Sequence, residues 1–372
     1  MTASAPRAWT AEEARTDTSW VQRLSADEVA GVDAALAHAK ALGKPWLAMT
    51  PQDFPLNDVA RAALDRAMAT TQGRWGLCLL KGFPVDRWSE DDAKLAYWGM
   101  GLHMGVARTQ NPASQHMNDV RDIGAVYKGK NGRGYNTNAS LDFHMDSADV
   151  VALLCRRTAK SGGESIVTST IAVAEELGQR RPDLLAVLKQ PFYHHYQGAQ
   201  DPVQPPYYAC PIIGDDSAPF TMRVNRKNIV AAQRDFPEVP RVTDQQWEAL
   251  DLLEELMADP RWCYRMHLDE GDMQLVNNYV IVHSRTAFED FEEADRKRHL
   301  LRLWLAVPGS QPLPADWAEY FIDTRGNAVR GGLRGSQQTP EFATYEARQA
   351  AALGMLHKPW APIKRRAEAQ PA

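Results

Sequence analysis

Residues 136–165 read NTNASLDFHMDSADVVALLCRRTAKSGGES, and this stretch decides the fold that we expect. Its apolar segment DVVALLC is typical of a buried strand, and the Gly-Gly pair after it indicates a turn. His144 and Asp146 lie just before that strand. Residues i and i+2 of a strand project from one face, so both side chains can reach one metal ion. The stretch therefore predicts a sheet that presents a metal-binding pair.

Similar short apolar segments recur from about residue 119 onward, separated by Gly and Pro turns. Helical patterns interrupt them only at IAVAEELGQRRPDLLAVL and DQQWEALDLLEELMADP. Such an order favours a sandwich or jelly roll over a parallel doubly wound sheet. The segments that we read as strands are VRDIGAVY, ESIVTS, QPFYHHY, YYACPIIG, FTMRV, MQLVNN, YVIVHS and HLLRLWLAV.

The ends of the chain differ from this β-rich region. Residues 1–74 read as a helical N-terminal extension packed on the core, in which Ser25 and Glu28 have the spacing of a capping box. Residues 75–310 form the predicted β domain with helical insertions, where Ser89 is the expected cap of another helix. Residues 311–372 form a C-terminal extension with one helical pattern, TPEFATYEARQAAALGML.

Composition excludes several classes of function. The formal net charge of −5 gives no electrostatic preference for nucleic acid. No apolar run has the length of a membrane span, and the N-terminus lacks the apolar stretch of a secretory signal. Cys78, Cys155, Cys210 and Cys263 form no Cys-x-x-Cys pair, which favours the reducing cytosol. We expect a cytoplasmic protein without a nucleic-acid or membrane partner.

A second His-x-Asp tripeptide provides an internal comparison. From the composition, the number of His-x-Asp tripeptides expected by chance in a chain of this length is about one half. The motif by itself is therefore weak evidence for a metal site. His267 and Asp269 have the same spacing as the first pair, but Glu-Gly-Asp follows at once and indicates a turn. His144 and Asp146 precede an apolar strand instead, so we favour them as the metal-binding pair.

A metal site of this kind needs another histidine from a distant strand. His194 and His195 are adjacent, so at most one of them can face the site. His299 shares its face with Leu301 and reads as packing. His283 ends the apolar run YVIV before a polar stretch, a common place for a catalytic ligand. A structural, hydrogen-bonded histidine remains the alternative for each.

Four segments, in order, carry a resemblance to a known family: FHMD, SGGES, NNYVIVHSRTAFED and RHLLRLWL. Over about residues 75–310 the chain resembles the iron(II)- and 2-oxoglutarate-dependent dioxygenases of the taurine dioxygenase/clavaminate synthase-like (TauD/TfdA) superfamily. The resemblance implies a mainly β fold with flanking helices and a double-stranded β-helix (jelly-roll) core. It also implies Fe(II), 2-oxoglutarate and O2, with decarboxylation coupled to hydroxylation or related C–H oxidation of a small molecule.

The same resemblance implies the metal ligands, which map onto His144, Asp146 and His283. Two imidazoles and one carboxylate leave the opposite face of the ion open, as in non-haem iron oxygenases. Halogenating relatives replace the acidic ligand with a small residue. Because Asp146 is present, we expect hydroxylation or a related oxidation rather than chlorination.

For the 2-oxoglutarate carboxylate, the resemblance implies an arginine on the strand after the distal histidine, together with a hydroxyl residue. Arg302 is favoured because it lies within the strand pattern, whereas Arg298 belongs to the charged turn EEADRKR. A guanidinium group matches a carboxylate in geometry and keeps its charge. Ser165 stands where the family usually has threonine, and its hydroxyl can donate to the same carboxylate.

Other polar residues near these motifs have two readings each. Tyr135 and Asn138 either face substrate or form turns. Arg223 either binds an anionic substrate or forms an ion pair at a strand edge. Asn277 and Asn278 precede the strand of His283. Either one of them binds the main chain near the metal, or they form a bulge or turn.

Two other functions remain open at this stage: a metal-dependent hydrolase or lyase with the same ligands, and a metal-free jelly-roll binding protein. The sequence identifies neither the substrate nor the outcome among hydroxylation, desaturation, cyclisation and dealkylation. A homo-oligomer formed through the tail beyond residue 310 is also left open.

Overall fold

The computed structural model describes residues 5–126, 134–201, 204–334 and 339–359. Both helix caps expected from the sequence are confirmed, since Ser25 and Ser89 accept hydrogen bonds from the main-chain N–H groups three residues on. The helices in these ranges are α1 (Ala11–Thr16), α2 (Ala26–Leu42), α3 (Asp58–Thr71), α4 (Glu90–Met104), α5 (Thr170–Arg180), α6 (Pro182–Leu188), α7 (Arg226–Asp235), α8 (Asp244–Ala258), α9 (Ala318–Phe321) and α10 (Pro340–Ala352).

Most strands are short and lie where apolar segments alternate with turns. They are β1 (Val21–Arg23), β2 (Leu77–Lys81), β3 (Val106–Ala107), β4 (Met117–Val120), β5 (Leu141–His144), β6 (Val150–Arg157), β7 (Ser161–Gly162), β8 (Ser165–Ser169), β9 (Pro191–His195), β10 (Tyr207–Pro211), β11 (Cys263–Met266), β12 (Met273–Asn277), β13 (Ile281–Arg285), β14 (Phe288–Glu289) and β15 (His299–Ala306).

Two sheets form the centre of the molecule. The larger has the order β1-β2-β12-β6-β15-β3, and β4 also pairs with β15. The smaller has the order β11-β8-β13-β5. Apart from the parallel pair β1–β2, neighbouring strands of both sheets are antiparallel. The mainly β core with flanking helices that the sequence predicts is therefore present.

The core is divided among three apolar clusters that correspond to layers. Residues of both sheets, such as Val167 and Trp304, pack together in the middle cluster. On the outer face of the larger sheet, Leu301 and Leu303 pack with α2, α3 and α4. On the outer face of the smaller sheet, Val282 packs with α5, α6 and α8. Helices therefore cover the outer faces, and the inner faces are left to build a site.

Some local expectations were wrong. The segment VRDIGAVY is a strand only up to Val120, and FTMRV supplies only an isolated bridge between Met222 and Ile213. The long helical pattern after β8 divides into α5 and α6, because Pro182 cannot continue the first helix and begins the second. Helix α7 was not expected at all.

The described part of the C-terminal extension is tied to the sheets by a buried ion pair. Arg330 Nε lies 2.7 Å from Asp149 Oδ1, and the two side chains are 0% and 2% exposed. Asp149 also accepts hydrogen bonds from the Tyr279 hydroxyl at 2.6 Å and the Val307 N–H at 3.0 Å.

The described part of the chain contains no helix that is both long and apolar enough to cross a membrane. The boundaries near 74 and 310 stay predictions.

We predict that Arg330→Met lowers the free energy of unfolding by about 3–5 kcal/mol, because it leaves the Asp149 carboxylate buried without its charged partner. Urea denaturation measures the effect. Arg234→Met is the control, since Arg234 pairs with Asp235 at the surface and such pairs contribute about 0–1 kcal/mol. Equal losses in the two variants would contradict this reading.

Candidate active site

Antiparallel pairing of β5 and β13 brings two histidines together. His283 lies directly opposite His144, and the ring centroids are 4.5 Å apart. Asp146 follows β5, with Oδ1 3.9 Å from His144 Nε2 and Oδ2 3.8 Å from His283 Nε2. One ligand atom from each residue lies within 4.8 Å of the others. The three donors match the two-histidine, one-carboxylate set, and they are close enough to hold one ion.

The protonation of the histidines suits metal binding. His144 Nδ1 lies 2.9 Å from the Asp142 carbonyl, so Nδ1–H donates there and Nε2 keeps its lone pair for the site. Burial, reinforced by the neighbouring His144, lowers the pKa of His283 to about 3, although Asp146 acts in the opposite direction. His283 is therefore a neutral imidazole, the form that binds metals.

Asp146 is kept as a carboxylate. Burial raises its pKa, but Arg302, the two histidines and Trp304 outweigh burial, and the net pKa is lowered. Arg302 Nη1 lies 3.2 Å from Oδ2, and Trp304 Nε1 donates to Oδ2 at 2.8 Å. Arg302 is itself positioned by Gln110, whose Oε1 accepts from Arg302 Nε at 2.8 Å. Gln110 lies far away in the sequence, and no motif indicated it.

Asn278 holds the main chain around the acidic ligand. Its Oδ1 accepts from the Asp146 N–H at 3.0 Å, and its Nδ2 donates to the carbonyls of Asp146 and Ala148. Asn277 instead accepts from the Tyr279 N–H in a turn. The expectation that one of the two asparagines binds backbone near the metal is confirmed for Asn278.

The second His-x-Asp tripeptide has no such surroundings. The side chains of His267 and Asp269 are 69% and 75% exposed. His267 pairs with Glu164 and Asp269 with Lys81, so the two residues contact different partners. The predicted turn is confirmed, since the Asp272 N–H donates to the Asp269 carbonyl at 3.0 Å.

The remaining candidate histidines have other environments. His194 is buried and stacks on Tyr208 of the neighbouring strand β10, whereas His195, the next residue of β9, lines the cavity that contains His144, Asp146 and His283. The expectation that His299 packs as an apolar residue was wrong. Its Nε2 lies 2.6 Å from Asp119, and its Nδ1 lies 2.7 Å from Arg156.

Glu90, Asp119 and His299 also lie close enough together to hold a metal ion. Lys94 already occupies that place, at 2.7 Å from Glu90 and 3.0 Å from Asp119. Arg156 adds another positive charge at 3.2 Å from Glu90. The group is therefore a salt-bridge network rather than a second metal centre.

A cavity of about 170 Å³ opens onto His144, Asp146 and His283. Ser165, Arg298 and Arg302 all line it. Arg298 ends the charged turn and lies just before β15, as the sequence suggests, but it is buried and faces the same cavity as Arg302. Arg298, Leu300 and Arg302 are spaced by two residues, so the alternation of β15 extends back to the residue just before the strand. This spacing can be read from the sequence.

The two arginines differ in their contacts. Arg302 already binds Asp146 and Gln110. Arg298 stacks over Phe288 at 5.0 Å, and its Nη1 has no hydrogen-bond partner among the described residues. The Ser165 hydroxyl donates a hydrogen bond to Gln274 Oε1, and the two oxygen atoms are 3.0 Å apart. Of the two guanidinium groups, only that of Arg298 has a buried nitrogen left for a ligand.

Comparison with known proteins adds independent findings. The family model "Taurine catabolism dioxygenase TauD, TfdA family" matches residues 38–304. FR-33289 synthase of Streptomyces rubellomurinus (strain ATCC 31215) is 36% identical over 248 residues, covering 64% of this chain and 71% of that protein.

Two solved structures resemble the fold. Asparagine oxygenase in complex with Fe(II), 2S,3S-3-hydroxyasparagine and succinate has a TM-score of 0.55 at 18% identity, covering 77% of this chain and 93% of the other. The non-haem iron oxygenase OrfP in complex with Fe and alpha-ketoglutaric acid has a TM-score of 0.58 at 16% identity, with the same coverage. The expected jelly-roll core is confirmed by this likeness.

We predict that Asn278→Ala weakens binding of iron(II) roughly 10- to 100-fold, because residues that orient metal ligands have effects of this size. Anaerobic calorimetric titration of the metal-free protein measures the affinity. Asn277→Ala is the matched control, since the side chain of Asn277 accepts its hydrogen bond from the neighbouring turn and not from the main chain around Asp146. If both variants bind iron like the parent protein, Asn278 does not position Asp146 for the metal.

Proposed function

Because the chain belongs to the TauD/TfdA family of dioxygenases, we propose that it couples decarboxylation of 2-oxoglutarate to hydroxylation of a small molecule. The observation that carries the proposal is the convergence of His144, Asp146 and His283, within 4.8 Å of one another, at the wall of a cavity. Iron(II) is the metal, and 2-oxoglutarate and O2 are the cosubstrates. Hydroxylation is favoured because a neighbour in fold holds a hydroxylated amino acid and succinate.

We assign the metal to His144, Asp146 and His283. Bound iron(II) supplies the position at which 2-oxoglutarate and O2 react and from which a C–H bond of the substrate is oxidised. The chain contributes two imidazoles, of which that of His283 is held neutral by burial, and a carboxylate whose charge Arg302 preserves. Trp304 and Asn278 fix the orientation of Asp146, so the ligands need little rearrangement when the metal binds.

The cavity walls also limit access of water. Water near the metal would compete with the substrates and quench reactive species, so an apolar lining protects the reaction. The apolar residues at the wall are Val120, Leu141, Phe143, Met145, Leu153, Leu268, Leu300 and Leu333.

For the distal carboxylate of 2-oxoglutarate, we propose Arg298 as the anchor. Its buried Nη1 lacks a protein partner, and a buried cation is stabilised when a carboxylate supplies the missing hydrogen bonds. Ser165 lines the same cavity, and we assign it to this carboxylate as well: its O–H hydrogen, which goes to Gln274 in the ligand-free protein, turns to the carboxylate when 2-oxoglutarate binds. The preference for Arg302 that the strand pattern suggested gives way here, because Arg302 is engaged by Asp146.

A comparison of the two His-x-Asp copies tests the function. Anaerobic addition of iron(II) and 2-oxoglutarate to the parent protein should produce a visible metal-to-ligand absorption band, which a zinc hydrolase or a metal-free binding protein would lack. We expect His144→Ala to abolish both the band and 2-oxoglutarate turnover, and His267→Ala to retain both, because His267 is exposed. Full turnover by His144→Ala would refute the ligand assignment.

A second experiment distinguishes the arginines. We expect Arg298→Gln to raise the apparent KM for 2-oxoglutarate roughly 10- to 100-fold, as is usual when a charged hydrogen bond is lost. Arg302→Gln should mainly weaken iron binding, since it removes the cation beside Asp146. Arg296→Gln, in the exposed part of the same turn, should change neither quantity. The assignment fails if Arg302→Gln alone weakens 2-oxoglutarate binding.

A further inference from the structure

One buried arginine at the cavity binds neither the metal ligands nor 2-oxoglutarate in the proposed function. Arg223 is 2% exposed and lines the same cavity as the three metal-binding residues. Its Nε and Nη1 have no hydrogen-bond partner among the described residues, and Nη2 donates to the Tyr208 hydroxyl. Within residues 5–126, 134–201, 204–334 and 339–359, no carboxylate forms an ion pair with it. The strand-edge ion pair considered from the sequence is therefore absent.

Two tyrosines hold the guanidinium group without neutralising it. The Arg223 guanidinium carbon lies 3.9 Å from the centroid of the Tyr320 ring and 5.2 Å from that of Tyr208. The two rings stack on each other at 4.4 Å. Aromatic faces stabilise a cation and fix its plane, but they offer no acceptors for its N–H groups. Tyr208, which accepts from Arg223, still has its own O–H hydrogen to donate.

The main chain fixes this arginine beside the metal-binding strands. The Met145 N–H, between the two ligands of the His-Met-Asp motif, donates to the Val224 carbonyl at 2.9 Å. The Met222 N–H donates to the carbonyl of Tyr279, shortly before β13, at 3.0 Å. The segment that carries Arg223 is thus attached to both of the elements that supply metal ligands.

Other arginines at the cavity are accounted for by acceptors. Arg302 binds Asp146, and Arg226 pairs with two carboxylates of α8. Arg285 donates to the main-chain carbonyls of residues 137 and 139. Arg298 is assigned to 2-oxoglutarate under the proposed function. A buried guanidinium with free N–H groups is costly unless an anion completes its hydrogen bonds. Among the arginines that line the cavity in the described part of the chain, Arg223 is therefore the one left for a ligand other than 2-oxoglutarate.

We propose that the primary substrate carries an oxyanion, such as a carboxylate, phosphonate or sulfonate, and that Arg223 binds this group with Tyr208 beside it. This inference rests on the proposed function, since it names the substrate class of the same site. The anion at Arg223 holds the substrate at a fixed place in the cavity. A C–H bond elsewhere in the molecule is then presented to the metal.

Binding of small anions tests the proposal. The protein is loaded anaerobically with iron(II) and saturating 2-oxoglutarate, so that Arg298 is occupied, and is then titrated with propylphosphonate, propanesulfonate or butyrate. Dimethyl propylphosphonate is the uncharged probe. Calorimetry and the change in the visible band report binding. We expect at least one anion to bind at least about 10-fold more tightly than the uncharged ester.

Substitutions at two arginines test whether the anion binds at Arg223. Arg223→Gln should weaken its binding roughly 10- to 100-fold and change the affinity for 2-oxoglutarate less than twofold. Arg226→Gln is the matched control, a cavity arginine already paired with carboxylates, and it should bind the anion like the parent protein. The visible band and thermal melting show whether each variant is folded. If Arg223→Gln does not fold, Tyr208→Phe replaces it and should weaken the anion alone, by a few-fold.

Three results would overturn the proposal: no anion binds to the loaded parent protein, Arg223→Gln or its replacement binds the anion unchanged, or Arg226→Gln loses as much affinity as Arg223→Gln. Failure of the proposed function looks different, because the parent protein would then give no visible band with iron(II) and 2-oxoglutarate. A band without anion binding refutes only the role of Arg223.

Discussion

The antiparallel register between β13 and β5 is the constraint on which the site depends. It places His283 opposite His144, with both imidazoles on the inner face at the cavity. A slip by one residue would turn every side chain of β13 to the other face. Val282 would then point into the cavity, and His283 would enter the apolar layer beneath α5, α6 and α8. Burial of both faces of β13 makes such a slip unfavourable.

The position of Asp146 depends on the same arrangement of strands, through a second set of contacts. Asn278, just before β13, binds the main chain on both sides of Asp146. The larger sheet approaches from the opposite side and supplies Arg302 and Trp304 to the carboxylate. The two sheets therefore meet at this carboxylate, which links the packing of the core to the geometry of the site.

Buried positive charge distinguishes the rest of the cavity. Three of the arginines at its wall have acceptors: Arg302 and Arg226 pair with carboxylates, and Arg285 donates to main-chain carbonyls. Arg298 and Arg223 retain buried N–H groups that have no acceptor among the described residues. Such groups are unfavourable in a protein interior unless a ligand completes them. A site that combines a metal with two arginines in this state is suited to two anionic ligands, the cosubstrate and the substrate.

Local patterns in the sequence determined most strands, most helices and the preferred His-x-Asp pair. This was possible because alternation, caps and turns involve residues only a few positions apart, and the turn after Asp269 is as local as the strand after Asp146. The sequence also indicated His283 and Ser165 as candidates, although it could not show what either one contacts.

The tertiary structure alone decided the partners of the charged residues. Arg298 and Arg302 differ in what they contact, and Gln110, which engages Arg302, lies on a distant segment. His299 looked apolar by its position on β15, but Asp119 and Arg156 reach it from other strands. Whether a buried guanidinium is paired or free depends on which distant acceptors the fold brings within hydrogen-bond distance. No periodicity along the chain contains that information.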